Sequence, residues 1–233
     1  MPKQAVLNSD IFIVVPAYNE SAVIRSILRP LVASGYSVVA VDDGSRDKTW
    51  GQLKGLGVHR LRHPFNLGQG AALQTGVSYA LQQGAQYILH FDADGQHSPE
   101  DIPGLLAPLL AGRADVVLGS RFLRKEDWQI VPPTRRVLLK MAIFINWLLV
   151  SLWLSDAHNG ARAFSRRAAR QIVLKENGFA HATEILQQIR SLGLRFQERP
   201  TRILYTEYSK LKGQRVWNAF DIFVDLVIKR LLR

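Results

Sequence analysis

The chain has 233 residues, 47% of them hydrophobic, and no cysteine, which excludes disulfides, thiolate metal sites and cysteine nucleophiles. That length fits one large domain, or one domain with an appendage. The net charge of +11 is unevenly placed: residues 1–100 carry eight Lys/Arg and eight Asp/Glu, whereas 101–233 carry 22 and 11.

Residues 1–10 are polar and show no secretory signal, so the protein is expected to stay in the cytoplasm. Residues 11–15 form an apolar run that reads as a buried strand ended by Pro16. A helix is predicted over 20–34, with Val23, Ile27, Leu28 and Leu31 at helical spacing and Gly35 as its stop. A second buried strand, 37–41, runs into Asp42-Asp43-Gly44-Ser45. Residues 47–56 read as a helix opened by Asp47, 58–63 as a short strand and 68–84 as a third helix. The strand 87–91 carries His90 within the core and ends at Asp92-Ala93-Asp94. Ser98-Pro99-Glu100-Asp101 has the chemistry of a helix start: a Ser cap, Pro at the first position and acids in the first turn. One more strand, 114–118, is closed by Gly119-Ser120-Arg121.

This alternation predicts a mostly parallel sheet with helices on both faces. In such sheets ligands bind at the carboxyl ends of the strands. The polar clusters fall there: Pro16-Ala17-Tyr18-Asn19-Glu20, Asp42-Asp43-Gly44-Ser45, Asp92-Ala93-Asp94 and Gly119-Ser120-Arg121. In extended chain, Asp92 and Asp94 share one face. An unpaired carboxylate pair is costly to bury, so a cation or a proton belongs between the two groups. Hard oxygen ligands suit Mg²⁺ or Mn²⁺, ions that bridge to phosphates. Gln96 adds an amide oxygen, with His97 as the second choice of ligand. A solvated Asp-rich turn is the plain alternative.

These strings, with Asn66-Leu67-Gly68-Gln69-Gly70 and Gly95-Gln96-His97, resemble the family 2 glycosyltransferases of the GT-A fold. Within that family they look most like the polyprenyl-phosphate sugar transferases, the dolichol-phosphate mannose synthase group. The resemblance covers about residues 11–210. It implies an α/β fold of GT-A type, Rossmann-like and mostly parallel, with amphipathic interface helices toward the C-terminus. It implies that Pro16, Ala17, Tyr18, Glu20 and one or both of Asp42 and Asp43 line the nucleoside pocket. Asp92, Asp94 and Gln96 then form the Mg²⁺ or Mn²⁺ and diphosphate site, and Arg121 joins the donor-binding set. Gly68 and Gly70 let the backbone approach a ligand or turn tightly. The family often has Lys where Gln69 stands, which weakens the case for a phosphate contact at residue 69.

In the second half, Arg135 and Arg136 precede an apolar segment, 137–154, that contains Trp147 and Trp153. It is at the short end for a membrane span. Lys140 near its start and Asn146 at its centre favour helices lying in the interface. A buried core or dimer helix is the alternative. The string Asp156-Ala157-His158-Asn159-Gly160-Ala161-Arg162-Ala163-Phe164 resembles the family's acceptor-side motif. The resemblance gives Asp156 the sugar or the acceptor to position, and Arg162 a phosphate, onto which a guanidinium forks. A structural Asp–Arg pair is equally open. Arg166, Arg167 and Arg170 read as a solvated helix face. Glu198-Arg199-Pro200 sits where the family has a strand, before a basic loop whose Lys210, Lys212 and Arg215 could close over the diphosphate. That loop lacks the Arg-x-x-Gly-x-Ser-Lys run of the mannose synthases. Residues 216–232 form a last helix with a wide apolar face, which lipid, a second copy or a membrane-embedded partner would cover. The basic tail favours an anionic surface.

The chain is thus expected to be one catalytic domain with a donor-binding half, 1–125, and an acceptor-side half, 126–233. It would move a sugar from a nucleotide sugar to a polyprenyl phosphate at the cytoplasmic membrane face, with inversion, using Asp94, Asp156 and Arg162. A homo-oligomer or a separate anchoring subunit is compatible with the sequence. A different saccharide or diphospholipid acceptor, and a non-enzymatic nucleotide-binding role, are the other readings. Nucleic acid is not an expected partner, because the basic residues accompany long aliphatic runs without a recognition motif.

Overall fold

A computed structural model describes residues 6–123, 151–156, 159–178 and 180–202. Its frame is a seven-stranded sheet built from β1 (Ile11–Ala17), β2 (Ser37–Asp42), β3 (His59–Arg62), β4 (Tyr87–His90), β5 (Val116–Ser120), β6 (Arg162–Ser165) and β7 (Phe196–Pro200), in the order β3-β2-β1-β4-β6-β5-β7. All neighbours are parallel except β6, which runs antiparallel to both β4 and β5. Among the described residues, six helices accompany it: α1 (Ile24–Ala33), α2 (Thr49–Gln52), α3 (Gln69–Gln82), α4 (Ile102–Leu110), α5 (Arg166–Gln171) and α6 (His181–Ser191).

Strand periodicity sorts the core into two layers. Phe12 and Val14 of β1 face Leu73 and Val77 of α3, together with Ile185 and Leu186 of α6. Ile11, Ile13 and Val15 point the other way, onto Leu28 and Leu31 of α1 and Leu105 and Leu106 of α4. Central strands covered on both faces must be apolar on both, which is why 11–15 and 37–41 read as unbroken apolar runs. Burying one such Leu or Ile side chain contributes about 1.5–3 kcal/mol. The sheet's layers therefore outweigh local propensity in holding these elements.

The structure departs from the sequence prediction in instructive places. Pro16 lies within β1 rather than after it. Ala17 accepts from Asp43 on the β2 side, so Pro16, one residue earlier, turns its missing N–H toward β4, whose pairing with β1 has ended at Val14. The helix predicted from residue 20 begins at Ile24, because the Glu20 carbonyl is taken up by the turn N–H groups of Val23 and Ile24. The helix predicted over 47–56 shrinks to α2, since Gly55 and Gly57 adopt left-handed backbone angles that end it. Asp47 does open that helix: it accepts from the Thr49 N–H at 2.9 Å. Ser98 caps as expected, accepting from Glu100 N, although a 3₁₀ turn, Pro99–Asp101, precedes α4.

β6 and β7 come from the second half of the chain, yet they sit beside strands of the first. Neither β6 nor α6 was predicted as a discrete element, whereas α5 carries the helix face read at Arg166, Arg167 and Arg170. Residues 137–150 of the interface segment 137–154, the loop with Lys210, Lys212 and Arg215, and the helix at 216–232 lie outside the described residues. Among the described residues, no helix is long and apolar enough to cross a membrane.

Candidate active site

The polar clusters meet where the strands end. After β1, Asn19 takes a left-handed conformation (φ 55°), which Asn tolerates better than most residues. Its side-chain oxygen accepts from Arg46 N at 2.9 Å, while its own N–H donates to Ser45 Oγ at 2.9 Å. Glu20 N donates to Thr49 Oγ1 at 2.8 Å. These reciprocal bonds bring Pro16, Ala17, Tyr18 and Glu20 beside the loop after β2. Tyr18 remains 37% exposed there, which suits contact with a ligand.

Asp42 and Asp43, predicted to line the nucleoside pocket, are both buried. Asp42 accepts from Ser45 N at 3.0 Å and pairs with Arg62 Nε at 3.0 Å. Asp43 lies 2.7 Å from His63 Nδ1 and accepts from Leu67 N at 3.0 Å and Gly68 N at 2.8 Å. Its carboxylate therefore folds the 63–68 loop onto the sheet. Gly68 and Gly70 accommodate the protein's own backbone. A Cβ on Gly68 would come within 2.3 Å of the Asn177 carbonyl oxygen, and one on Gly70 within 2.0 Å of that of Glu176. Gly70 N donates to Asn177 O at 2.7 Å, so a carbonyl caps α3 where an anion could otherwise bind.

Asp92 and Asp94 are half-buried, with Phe91, Ala93 and His97 buried beside them. The two carboxylates lie close enough for the charge of Asp92 to act on Asp94. Each oxygen of Asp92 is tied: Gln69 Nε2 donates to Oδ1 at 2.8 Å, and His97 Nε2 lies 3.0 Å from Oδ2. Gln69, without a cation to offer a phosphate, orients the acid instead. Gly160 backs it, since a Cβ there would stand 2.1 Å from Asp92 Oδ2. Asp94 accepts from Gln96 N at 2.9 Å. A cavity of about 250 Å³ adjoins it, walled by Val23, Ile27, Pro30 and Phe91.

The charges follow from this setting. Burial, then the negative charge of Asp92, push the Asp94 carboxyl up. Burial pushes Asp92 up too, but the His97 hydrogen bond and the positive charges of His97, His181 and Arg162 outweigh it and hold its pKa down. Burial lowers His97, yet Asp92 and Asp94 raise it overall. Burial, followed by the charge of Arg162, brings His90 to about 3 and His181 to about 4, so both are neutral near pH 7. His90 packs on the Phe164 ring at 4.8 Å, as a core residue should.

A divalent cation fits these donors. Two like charges stand close together, and the second is raised partly by the first, a repulsion that a cation would relieve. Mg²⁺ and Mn²⁺ are commonly held by one or two carboxylates plus substrate phosphates. Asp92, Asp94 and Gln96 would hold it, with His97 and Gln69 orienting Asp92.

Across the sheet, Arg121 follows β5. Its Nε and Nη2 donate to Asp156 at 2.6 and 2.8 Å, and its N–H at 3.1 Å. The Asp–Arg pair therefore exists, but with Arg121 rather than Arg162. Arg162 is 3% exposed, and its guanidinium makes no hydrogen bond or ion pair among the described residues. Burial lowers it to about 10, against the opposing charges of Asp92 and Asp156, so it stays charged. Lys210 lies outside the described residues.

A family model described as glycosyl transferase family 2 matches residues 12–173, which contain the polar clusters at the ends of β1, β2, β4 and β5. The chain belongs to that family. This family 2 glycosyltransferase is 31% identical over 241 residues to the UDP-N-acetylglucosamine–dolichyl-phosphate N-acetylglucosaminyltransferase of Methanococcus voltae, covering 95% of this chain and 96% of that one. It is 28% identical to the polyprenol monophosphomannose synthase of Mycolicibacterium smegmatis, covering 89% and 83%. In fold it matches the glucosyl-3-phosphoglycerate synthase of Mycobacterium tuberculosis, crystallised with Mn²⁺, UDP-glucose and phosphoglyceric acid, at a TM-score of 0.60 and 21% identity over 87% and 74% of the chains. The sheet and its helices are thus those of a GT-A enzyme.

Three roles were not legible in sequence: Gly160 behind Asp92, Gln69 on Asp92, and Glu198, whose carboxylate holds residues 155–156. Each residue stands in a string that the sequence singled out, but its partner is set by contacts that no local pattern encodes.

Proposed function

We propose that this glycosyltransferase moves one sugar from a nucleotide donor to a polyprenyl phosphate at the cytoplasmic membrane face, with inversion and with Mg²⁺ or Mn²⁺. The observation that carries the reading is the pairing of two sites at one sheet end: the oriented Asp92–Asp94 pair after β4, and the Arg121–Asp156 pair after β5. The relatives that act on dolichyl phosphate or polyprenol support the acceptor.

The loops after β1 and β2 would seat the nucleoside, with Tyr18 presenting its ring. When bound, the metal would neutralise charge on the departing diphosphate. Arg121, oriented by Asp156, would direct the acceptor phosphate at the anomeric carbon. A phosphate oxygen forms the new bond to that carbon as the bond to the nucleoside diphosphate breaks, and the diphosphate leaves with the electron pair. A lipid phosphate is already ionised near neutral pH, so no strong general base is required. Trp153, 69% exposed beside the apolar segment, is the kind of side chain that sits at a membrane interface. The excess of basic residues in 101–233 favours an anionic surface.

The test is transfer of label from a panel of nucleotide sugars to organic-extractable lipid, using purified protein, Mg²⁺ or Mn²⁺ and vesicles containing polyprenyl phosphate. Metal-dependent label in the lipid phase is expected. Nucleotide binding with label only in a water-soluble product, or with no product, would overturn the lipid acceptor.

A further inference from the structure

From the geometry of β7 we infer that Glu198 is a positioning residue for the acceptor phosphate, acting through Asp156 and Arg121. The inference rests on the lipid-phosphate reading above. Glu198 lies beyond the residues that the family model matches. It stands opposite Leu118 in the β5–β7 register, beside the strand that delivers Arg121.

Its carboxylate accepts from the segment that carries Asp156. Oε1 takes Ser155 N at 2.9 Å, Ser155 Oγ at 2.7 Å and Asp156 N at 3.3 Å, while Oε2 takes Ser155 N at 3.0 Å. A carboxylate oxygen accepts, so the Ser155 hydroxyl donates its hydrogen bond to Glu198. Ser155 Oγ is then the acceptor for the Ser120 hydroxyl, 2.6 Å away. Ser120 Oγ in turn accepts from Phe122 N at 3.1 Å. One acid thus sets the direction of a chain that runs to both sides of Arg121. It also holds the Asp156 backbone, and Asp156 grips the Arg121 guanidinium with both oxygens. Such a chain is cooperative, and removing its terminal acceptor loosens every later member.

The donor side is anchored separately. Asn159 Nδ2 donates to Thr201 Oγ1 at 2.7 Å, and Ala161 N donates to Asn159 Oδ1 at 2.9 Å. Gly160 therefore keeps its place behind Asp92 without Glu198. Loss of Glu198 should weaken acceptor use and leave nucleotide binding intact, a split that a purely structural brace would not produce.

The full chain is assayed with dolichyl phosphate in phosphatidylcholine vesicles and the donor that the panel selects. Calorimetry with Mn²⁺ and the matching nucleoside diphosphate reports donor binding. Glu198→Ala should raise the KM for dolichyl phosphate by about tenfold, as loss of an orienting partner typically does, with nucleotide Kd changed by no more than about twofold. Glu198→Gln keeps one acceptor oxygen and should recover most of the loss. If Glu198→Ala does not fold, Ser155→Ala removes only the hydroxyl link and should still raise the acceptor KM alone. An unchanged acceptor KM, or equal weakening of both substrates, overturns the inference. A wild-type enzyme inert toward every lipid phosphate overturns the acceptor reading itself, and is seen before any variant is made.

Discussion

Asp92 has neither oxygen free to swing: Gln69 holds one, His97 the other, and the second lies where a side chain on Gly160 would stand. A metal ligand held this way is preorganised, because little side-chain freedom remains to lose when phosphate and cation arrive. Gly160→Ala should therefore displace Asp92 and lower turnover by about 10–100-fold, the usual cost of disturbing a ligand's support. The fold should survive, because the atom displaced is the end of one side chain. Turnover measured beside the melting temperature checks this, and a fully active variant would show that Asp92 is not needed where it stands. Asp94→Ala should cost about 10²–10³ in kcat, the scale of losing one transition-state charge stabiliser. Retention of full metal-dependent activity would remove Asp94 from the metal site.

At the scale of elements, α3 and the 176–178 loop form one unit. The helix N-terminus donates Gly70 N to Asn177 O, and the loop is itself held by Glu184 of α6, which accepts from Lys175 N and Glu176 N at 3.0 Å. The fit leaves no room for a methyl group against a backbone carbonyl. Gly70→Ala should destabilise by about 1–3 kcal/mol, the common cost of overpacking. Denaturant unfolding measures it, and an unchanged midpoint would mean that the loop moves aside freely. The sequence marked Gly68 and Gly70 as points of close approach, and close approach is what they provide. It could not say that the neighbour is the enzyme's own chain.

For the whole molecule, Asp115 and Arg195 tie the start of β5 to the start of β7. Arg195 donates to Asp115 through Nε at 3.0 Å and through its backbone N–H at 3.1 Å. The Arg195 hydrogen bond holds the Asp115 carboxyl below its ordinary value of 3.8, against burial. A carboxylate lowered in the folded state contributes stability above pH 3.8 and loses it as pH falls through the lower, folded value. Asp115→Asn should thus be less stable than wild type near neutral pH, with the gap closing below about pH 4. Unfolding free energies measured across that window check the sign, and a gap that widens in acid would refute it.

The sequence by itself determined strands β1 to β5, their polar ends and the close spacing of Asp92 and Asp94. All three depend on short-range periodicity and turn chemistry, which a chain displays before it folds. The family was legible because its motifs are local strings. Tertiary structure alone decided which arginine holds Asp156. Arg121, 35 positions away in sequence, takes that place, not the nearby Arg162. It alone placed β6 antiparallel between β4 and β5, the step that brings Gly160 against Asp92. It also decided that Asp43 serves the protein's own loop. The physical reason is common to all of these. Such contacts are set by strand order and by the competition of many buried polar groups for few partners, and neither leaves a period or a spacing in the chain.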